Sequence, residues 1–105
     1  MLATILVNWN NNNQPDNPQN LDKIIDWWRQ KNDRKPDITS INDSVRQLPN
    51  PALYSITEIK IHSNTITYKE GIMEIKIEGL TSIYLDQNKE NLKIYTKERT
   101  IEFQY

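Results

Sequence analysis

The sequence predicts an α+β fold in which a six-stranded antiparallel meander over residues 59–105 is covered on one face by two short helices. Apolar and polar residues alternate through this segment, and many of the apolar ones are β-branched or aromatic, which is typical of half-buried strands. Short turns join the strands in matching phase, so each strand can direct its apolar residues to the same side of one sheet. Two helical stripes earlier in the chain supply the cover that this side needs.

The predicted inner face of the meander consists of residues at every second position of each strand. Because successive side chains of a strand point to opposite faces, these residues share one side of the sheet, and we expect most of them to be buried. They are Ile59, Ile61, Ile66, Tyr68, Met73, Ile75, Ile77, Ile83, Leu85, Leu92, Ile94, Ile101 and Phe103.

Five short turns are expected between the six strands. They are Ser63-Asn64, Glu70-Gly71, Glu78-Gly79-Leu80, residues 87–90 and Lys97-Glu98. Asn and Gly accept the positive φ angles that tight turns require. The last turn has neither residue, so a wider loop over residues 97–100 is the alternative there.

The segment before the first helix contains a strand and a loop. Residues 2–7 are apolar almost throughout, which predicts a strand at an edge of the sheet and suggests that both faces of this strand are covered. Residues 10–20 are rich in Asn and Pro, which neither bury apolar area nor support a ladder of hydrogen bonds. We therefore expect a mobile surface loop that is dispensable for folding.

The first helix is predicted over residues 21–32. Asn17-Pro18 can form its N-cap and first turn, and Asn20 is a rival cap. Trp28 belongs to the apolar stripe of this helix, whereas Trp27 lies about 110° from the stripe centre and can be buried or exposed.

The second helix is predicted over residues 38–48. Ile38, Ile41, Val45 and Leu48 stand three or four residues apart, which is helical spacing. Either Asp37 or Ser40 can cap the start, and Pro49 ends the helix. The whole chain, residues 1–105, is expected to form a single domain, with the meander occupying residues 53–105.

The composition excludes several classes of site. The 105 residues include no cysteine and one histidine, so disulfides, thiolate metal sites and a multi-histidine metal centre within one chain are excluded. With 13 basic and 14 acidic residues, the formal net charge of −1 argues against non-specific binding to nucleic acid or to an acidic membrane. No segment has the length and hydropathy of a membrane span, and a cytoplasmic location is the default expectation.

No motif in the chain carries specific catalytic chemistry. Both glycines, Gly71 and Gly79, are assigned to turns, so no Gly-rich phosphate loop is predicted. His62 falls on the outer face as a solvated side chain, and the outward glutamates have the spacing of ordinary cross-strand charge pairs. We therefore predict a non-enzymatic protein without cofactor or metal. A catalytic site assembled from residues that sequence spacing does not reveal is the alternative.

The outer face of the meander contains the candidate binding residues. The predicted register makes Tyr84 and Tyr95 diagonal neighbours flanked by Lys76 and Lys93, and Trp27 on the flank of the first helix is a further candidate. Tyrosine is enriched at protein interfaces, and tyrosines beside lysines on an open sheet can also stack the bases of a single strand. The plain alternative is that the tyrosines are only good strand formers.

These observations predict a small protein-interaction module, such as an adaptor, an inhibitor or a subunit of a complex, with a protein as its partner. The three tryptophans and six other aromatic residues in so short a chain support this prediction. A single-stranded nucleic-acid binder is one alternative, although outward glutamates interrupt the basic face. A binder of a small apolar ligand between sheet and helices is the other.

Overall fold

The computed structural model describes residues 4–33, 38–47 and 55–105, which form one helix and eight strands in two antiparallel sheets. This confirms the predicted α+β class with antiparallel pairing. The elements are β1 (Thr4–Asn8), α1 (Pro18–Asp33), β2 (Ser40–Asp43), β3 (Ile56–His62), β4 (Thr65–Glu70), β5 (Met73–Ile77), β6 (Leu80–Asp86), β7 (Asn91–Thr96) and β8 (Thr100–Gln104). The predicted positions 2–3, 37, 48–49 and 53–54 lie outside the described residues.

The strands divide into a five-stranded sheet with the order β1-β6-β7-β8-β2 and a three-stranded sheet with the order β3-β4-β5. The predicted edge position of the N-terminal strand is confirmed, because β1 is the first strand of the larger sheet. The prediction of a single six-stranded meander is wrong. The apolar faces of two sheets bury each other, so much of the cover assigned to helices comes from a second sheet.

The chain passes from one sheet to the other at Glu78-Gly79. The predicted hairpin that would pair Ile77 with Thr81 is therefore wrong, since β6 pairs with β1 and β7. Gly79 has a φ angle of 71°, which turns the chain between the sheets. The burial of Leu80 explains why the chain crosses to the other sheet here. As the first residue of β6, Leu80 is only 3% exposed, whereas the predicted hairpin would have placed it in a turn.

Three predicted pairings are confirmed: Ile61 with Ile66, Leu85 with Leu92, and Ile94 with Ile101. Each belongs to a hairpin whose turn also lies where the sequence places it. Ser63 takes a φ angle of 56° in the first turn. In the last, the Thr96 N–H donates to the Arg99 carbonyl at 2.8 Å, so the tight turn at Lys97-Glu98 forms and the wider loop does not.

The turn between β4 and β5 is shifted from its predicted place. Tyr68 pairs with Ile75 and not with Met73, so the two turn residues are Gly71-Ile72. Gly71 supplies the positive φ angle, 61°, as predicted. The shift of two residues preserves the faces of both strands but moves Met73 to the end of the hairpin, where it is 45% exposed.

The predicted inner face is otherwise confirmed. Eleven of its thirteen residues are buried, and Ile61 packs against them while partly exposed. A shift of one residue in the pairing of a strand would turn its apolar side chains to the solvent. The burial of these residues therefore supports the predicted inward and outward positions in the strands from β3 to β8.

The first helix forms over Pro18–Asp33, three residues earlier than the predicted start. The Asn20 N–H donates to the Asn17 side-chain oxygen at 3.1 Å, which confirms Asn17 as the cap. Residues 18–20 of the predicted loop therefore belong to the helix. Residues 10–17 connect β1 to it, and their mobility stays a prediction.

The second predicted helix, over residues 38–48, is wrong. Residues Ser40–Asp43 form β2, which pairs with β8 at the edge of the larger sheet. Ile38 and Ile41 are buried, but Val45 is 64% exposed, so the helical stripe does not exist. Ser, Thr, Asn and Asp around Ile41 have low helix propensity, and this permits the extended backbone.

Trp28 of α1 lies between the two sheets. Its ring centroid is 5.4 Å from that of Tyr68 on β4 and 4.9 Å from that of Phe103 on β8, and these two rings are 5.9 Å apart. The indole N–H donates to the Tyr105 hydroxyl at 2.8 Å, and that hydroxyl donates to the Asn32 side-chain oxygen at 2.9 Å. One helix residue therefore joins both sheets at the centre of the core.

Candidate functional site

The outer face of the five-stranded sheet contains Tyr84, Tyr95 and Lys93, three of the residues predicted from the sequence to bind a partner. Strand pairing places Leu6, Tyr84, Lys93, Glu102 and Asn42 in one row across all five strands. The residues beside them along each strand point to the core, since side chains alternate between the faces of a sheet. The row therefore faces away from α1 and from the smaller sheet.

The two tyrosines are neighbours on this face. Tyr95 pairs with Ser82, which is two residues from Tyr84 along β6, so the two rings are set diagonally across β6 and β7. This is the arrangement that the sequence predicts, and both side chains are half-buried. Diagonal neighbours on adjacent strands are within reach of aromatic side chains. Tyr84 and Tyr95 thus form an aromatic centre on a face whose row is otherwise polar apart from Leu6.

The charges on this face balance each other. The Lys93 ammonium lies 3.5 Å from a Glu102 carboxylate oxygen, with side-chain exposures of 35% and 31%. The Asn42 amide donates to the other Glu102 oxygen at 3.5 Å. An exposed pair of this kind contributes little to stability, and it leaves the face without a net positive charge.

Lys76 is not part of this cluster. It lies on β5 in the three-stranded sheet, where it pairs across the strands with Thr67 and forms an ion pair with Glu78 at 3.1 Å. The sequence placed it beside Tyr95 because a continuous meander would have brought β5 next to β6. The crossover after β5 moves it to the other sheet.

Trp27 also lies apart from the tyrosines. Its half-buried ring meets the Tyr105 ring edge to face at 5.7 Å, and the Lys31 ammonium lies 5.5 Å from its centroid. It lines a groove of about 520 Å³ between α1 and β1, together with Ile5 and Lys23. Trp27 therefore belongs partly to the core and partly to a separate surface.

Leu6 is the residue of this face that sequence reasoning missed. The run of apolar residues in β1 suggested that both faces of the strand were covered, yet Leu6 is 48% exposed while Val7 is 1% exposed. Leu6 pairs with Tyr84, so it extends the aromatic centre toward the sheet edge. Its place could not be predicted, because no local signal shows that β1 pairs with β6.

A buried network of charges joins the two sheets at another point. The Asp43 carboxylate accepts hydrogen bonds from Arg99 at 3.1 and 2.5 Å and from the Arg46 Nε at 3.0 Å. Arg46 also binds both oxygens of Glu70, at 3.2 and 2.9 Å. Neither carboxylate side chain is exposed. These ion pairs join the two sheets, and both carboxylates of the network, Asp43 and Glu70, are paired with arginine.

The electrostatics of Asp43 follow from these contacts. Burial raises the pKa of the Asp43 carboxyl, but hydrogen bonds from Arg99, the Val45 N–H and Arg46 outweigh it and lower the pKa from 3.8 to about 2. Burial, followed by the charge of Glu70, raises the pKa of the Tyr68 hydroxyl well above its usual range. Asp43 is therefore ionised and Tyr68 neutral at physiological pH.

The described part of the chain was also compared with the requirements of a metal site and of a membrane-spanning helix. Within residues 4–33, 38–47 and 55–105, no three His, Asp or Glu side chains lie close enough to hold a metal ion. The same ranges contain no helix with the length and apolar character needed to cross a membrane. Comparison with models of protein families, with curated proteins and with solved structures finds no match to this chain.

Proposed function

We propose that this chain is a small protein-interaction module whose partner binds the outer face of the five-stranded sheet. The observation that supports this is the contiguous group of Leu6, Tyr84 and Tyr95 on that face, while the inner residues of the same strands supply the core. These three side chains are not needed to fill the space between the sheets. Aromatic and aliphatic side chains at the centre of a surface commonly carry most of the energy of a protein interface.

The surroundings of this group favour a protein over nucleic acid. Lys93 is paired with Glu102, and Lys76 is on the other sheet, so the tyrosines lack the basic flanks that a phosphate backbone requires. The interior disfavours the small apolar ligand, since Trp28, Tyr68 and Phe103 fill the space where it would bind. In this proposal the chain acts in the cytoplasm as an adaptor, an inhibitor or a subunit of a complex.

Site-specific photo-crosslinking tests the proposal. A photoreactive amino acid at Tyr84 should capture one partner in the native host, whereas the same group at Lys76, on the outer side of the other sheet, should not. Capture of the same proteins from both positions would contradict the assignment of the surface.

The captured partner should then be titrated against the double variant Tyr84→Ala and Tyr95→Ala. We expect the folded state to survive with a loss of about 1–2 kcal/mol of stability, because both residues are outward strand positions. Affinity should fall at least tenfold with a weak dependence on salt. Unchanged affinity at matched stability would exclude this face, and a steep salt dependence would identify nucleic acid instead.

A further inference from the structure

A polar groove of about 750 Å³ lies where the Asn-rich loop meets the rest of the molecule. Its other walls are the turn after β3, the crossover between the sheets and the turn after β7. The lining includes Trp9 and the side-chain amides of Asn10, Asn11, Asn13 and Asn64. The volume is within the range of small-molecule sites, and the groove is distinct from the outer face that holds the tyrosines.

We propose that this groove binds a short neutral oligosaccharide. Four side-chain amides line it, from Asn10, Asn11, Asn13 and Asn64. A carboxamide both donates and accepts hydrogen bonds, and so does each hydroxyl of a sugar, so this set of side chains matches a hydroxyl-rich ligand. The half-buried Trp9 indole packs partly against the core and also lines the groove, and an aromatic ring suits the C–H face of a pyranose.

Hydrogen bonds connect the loop that carries the amides to the turn after β3. The Trp9 indole N–H donates to the Ser63 carbonyl at 2.9 Å, and the Ser63 hydroxyl donates to the Asn13 carbonyl at 3.0 Å. The Asn64 amide donates to the Asn13 side-chain oxygen at 3.2 Å. Hydrogen bonds that the free chain already makes reduce the conformational entropy that the loop loses when a ligand binds.

The same contacts leave specific polar atoms of the groove without a protein partner in the part of the chain that the structure describes. Among the described residues, the side-chain nitrogen of Asn13, the side-chain oxygen of Asn64 and both polar atoms of the Asn11 amide bond to no other protein group. The groove therefore offers donors and acceptors within one small region, as binding of a hydroxyl-rich ring requires.

The charges around the groove favour an uncharged ligand. Glu78 is neutralised by Lys76 at 3.1 Å. Glu98 and Lys97 are adjacent in the turn after β7 and oppose each other in sign. A phosphate or sulfate would find no excess of positive charge here, whereas a neutral sugar could accept a hydrogen bond from Lys97 and donate hydrogen bonds to the glutamates.

The test is a titration of the ¹⁵N-labelled chain with neutral trisaccharides, namely maltotriose, cellotriose, triacetylchitotriose, xylotriose and mannotriose, at up to about 10 mM each. We expect at least one of them to shift the backbone amide signals of residues 9–14 and 63–65 and the Trp9 indole signal. Absence of shifts with all five sugars would overturn the proposal, and so would shifts confined to the Tyr84 and Tyr95 face.

Two matched variants complete the test. Asn13→Asp replaces the free donor nitrogen by an oxygen but keeps the acceptor that Asn64 uses, and Asp tolerates the φ angle of 61° at this position. We expect it to weaken sugar binding about tenfold. Asn88→Asp makes the same change at an exposed position of the β6–β7 tip and should leave binding unchanged. Equal effects of the two variants would contradict the site.

Discussion

Asp43 is the residue on which the buried charge network depends. Both of its oxygens are used by Arg99, and one of them also binds Arg46. Removing one partner from a buried ion pair leaves the other charges uncompensated in a region of low dielectric constant. The sequence could not show this network, because its members come from three separate segments and each is an ordinary charged residue by itself.

The first prediction is that acid destabilises the fold through Asp43. The folded pKa of about 2 lies below the ordinary value of 3.8, so ionised Asp43 stabilises the folded state above about pH 4. That contribution is lost as the pH falls from about 4 to about 2. Asp43→Asn should lower the free energy of unfolding at neutral pH by about 3–5 kcal/mol, and it should flatten the pH dependence in this window.

Urea unfolding between pH 2 and pH 7 measures both effects, with Asp26→Asn as the control because Asp26 is exposed on α1. The control should match the unchanged chain in stability at neutral pH. An Asp43→Asn variant that keeps the full stability, or the same slope between pH 4 and pH 2, would contradict the role of the network.

At the scale of elements, the hairpins could be predicted and the connections between sheets could not. The β6–β7 hairpin follows from local information, since Leu85 and Leu92 fix the phase and residues 87–90 form the turn. The segment Glu78-Gly79-Leu80 is equally compatible with a hairpin loop and with a crossover. Only the burial of Leu80 by distant strands decides between them, and that depends on tertiary packing.

The strand β2 illustrates the same limit. The spacing of Ile38 and Ile41 fits a helix, and both residues are buried as the helical stripe required. The pairing of Ser40–Asp43 with β8 and the contacts of Asp43 determine the extended backbone instead. Tertiary contacts of this kind override a weak local preference.

The crossover gives a second prediction. Gly79 has a φ angle of 71°, and a Cβ atom added there would meet nothing within 4 Å, so the cost of a side chain is backbone strain alone. Gly79→Ala should lower the free energy of unfolding by about 1–2 kcal/mol. Gly79→Asn should cost less, because Asn tolerates the left-handed region. Thermal unfolding of the two variants checks this, and an alanine that is as stable as glycine would contradict the observed crossover.

At the scale of the whole molecule, the two sheets determine which candidate binding residues meet. Tyr84, Tyr95 and Lys93 lie together because one hairpin carries all three, so their arrangement could be predicted from the register. Lys76 lies on the other sheet and Trp27 on the helix, and neither position follows from the periodicity of the sequence. Leu6 joins the tyrosines through the pairing of β1 with β6, which links distant parts of the chain.

The division into two sheets around Trp28 is the claim on which the proposed surface depends, and nuclear Overhauser contacts between assigned protons test it most directly. We expect cross-strand contacts between Val7 and Ile83, and contacts of the Trp28 ring with Tyr68 and Phe103. Cross-strand contacts between Ile77 and Thr81, with no contacts between β1 and β6, would show a continuous meander and contradict the account.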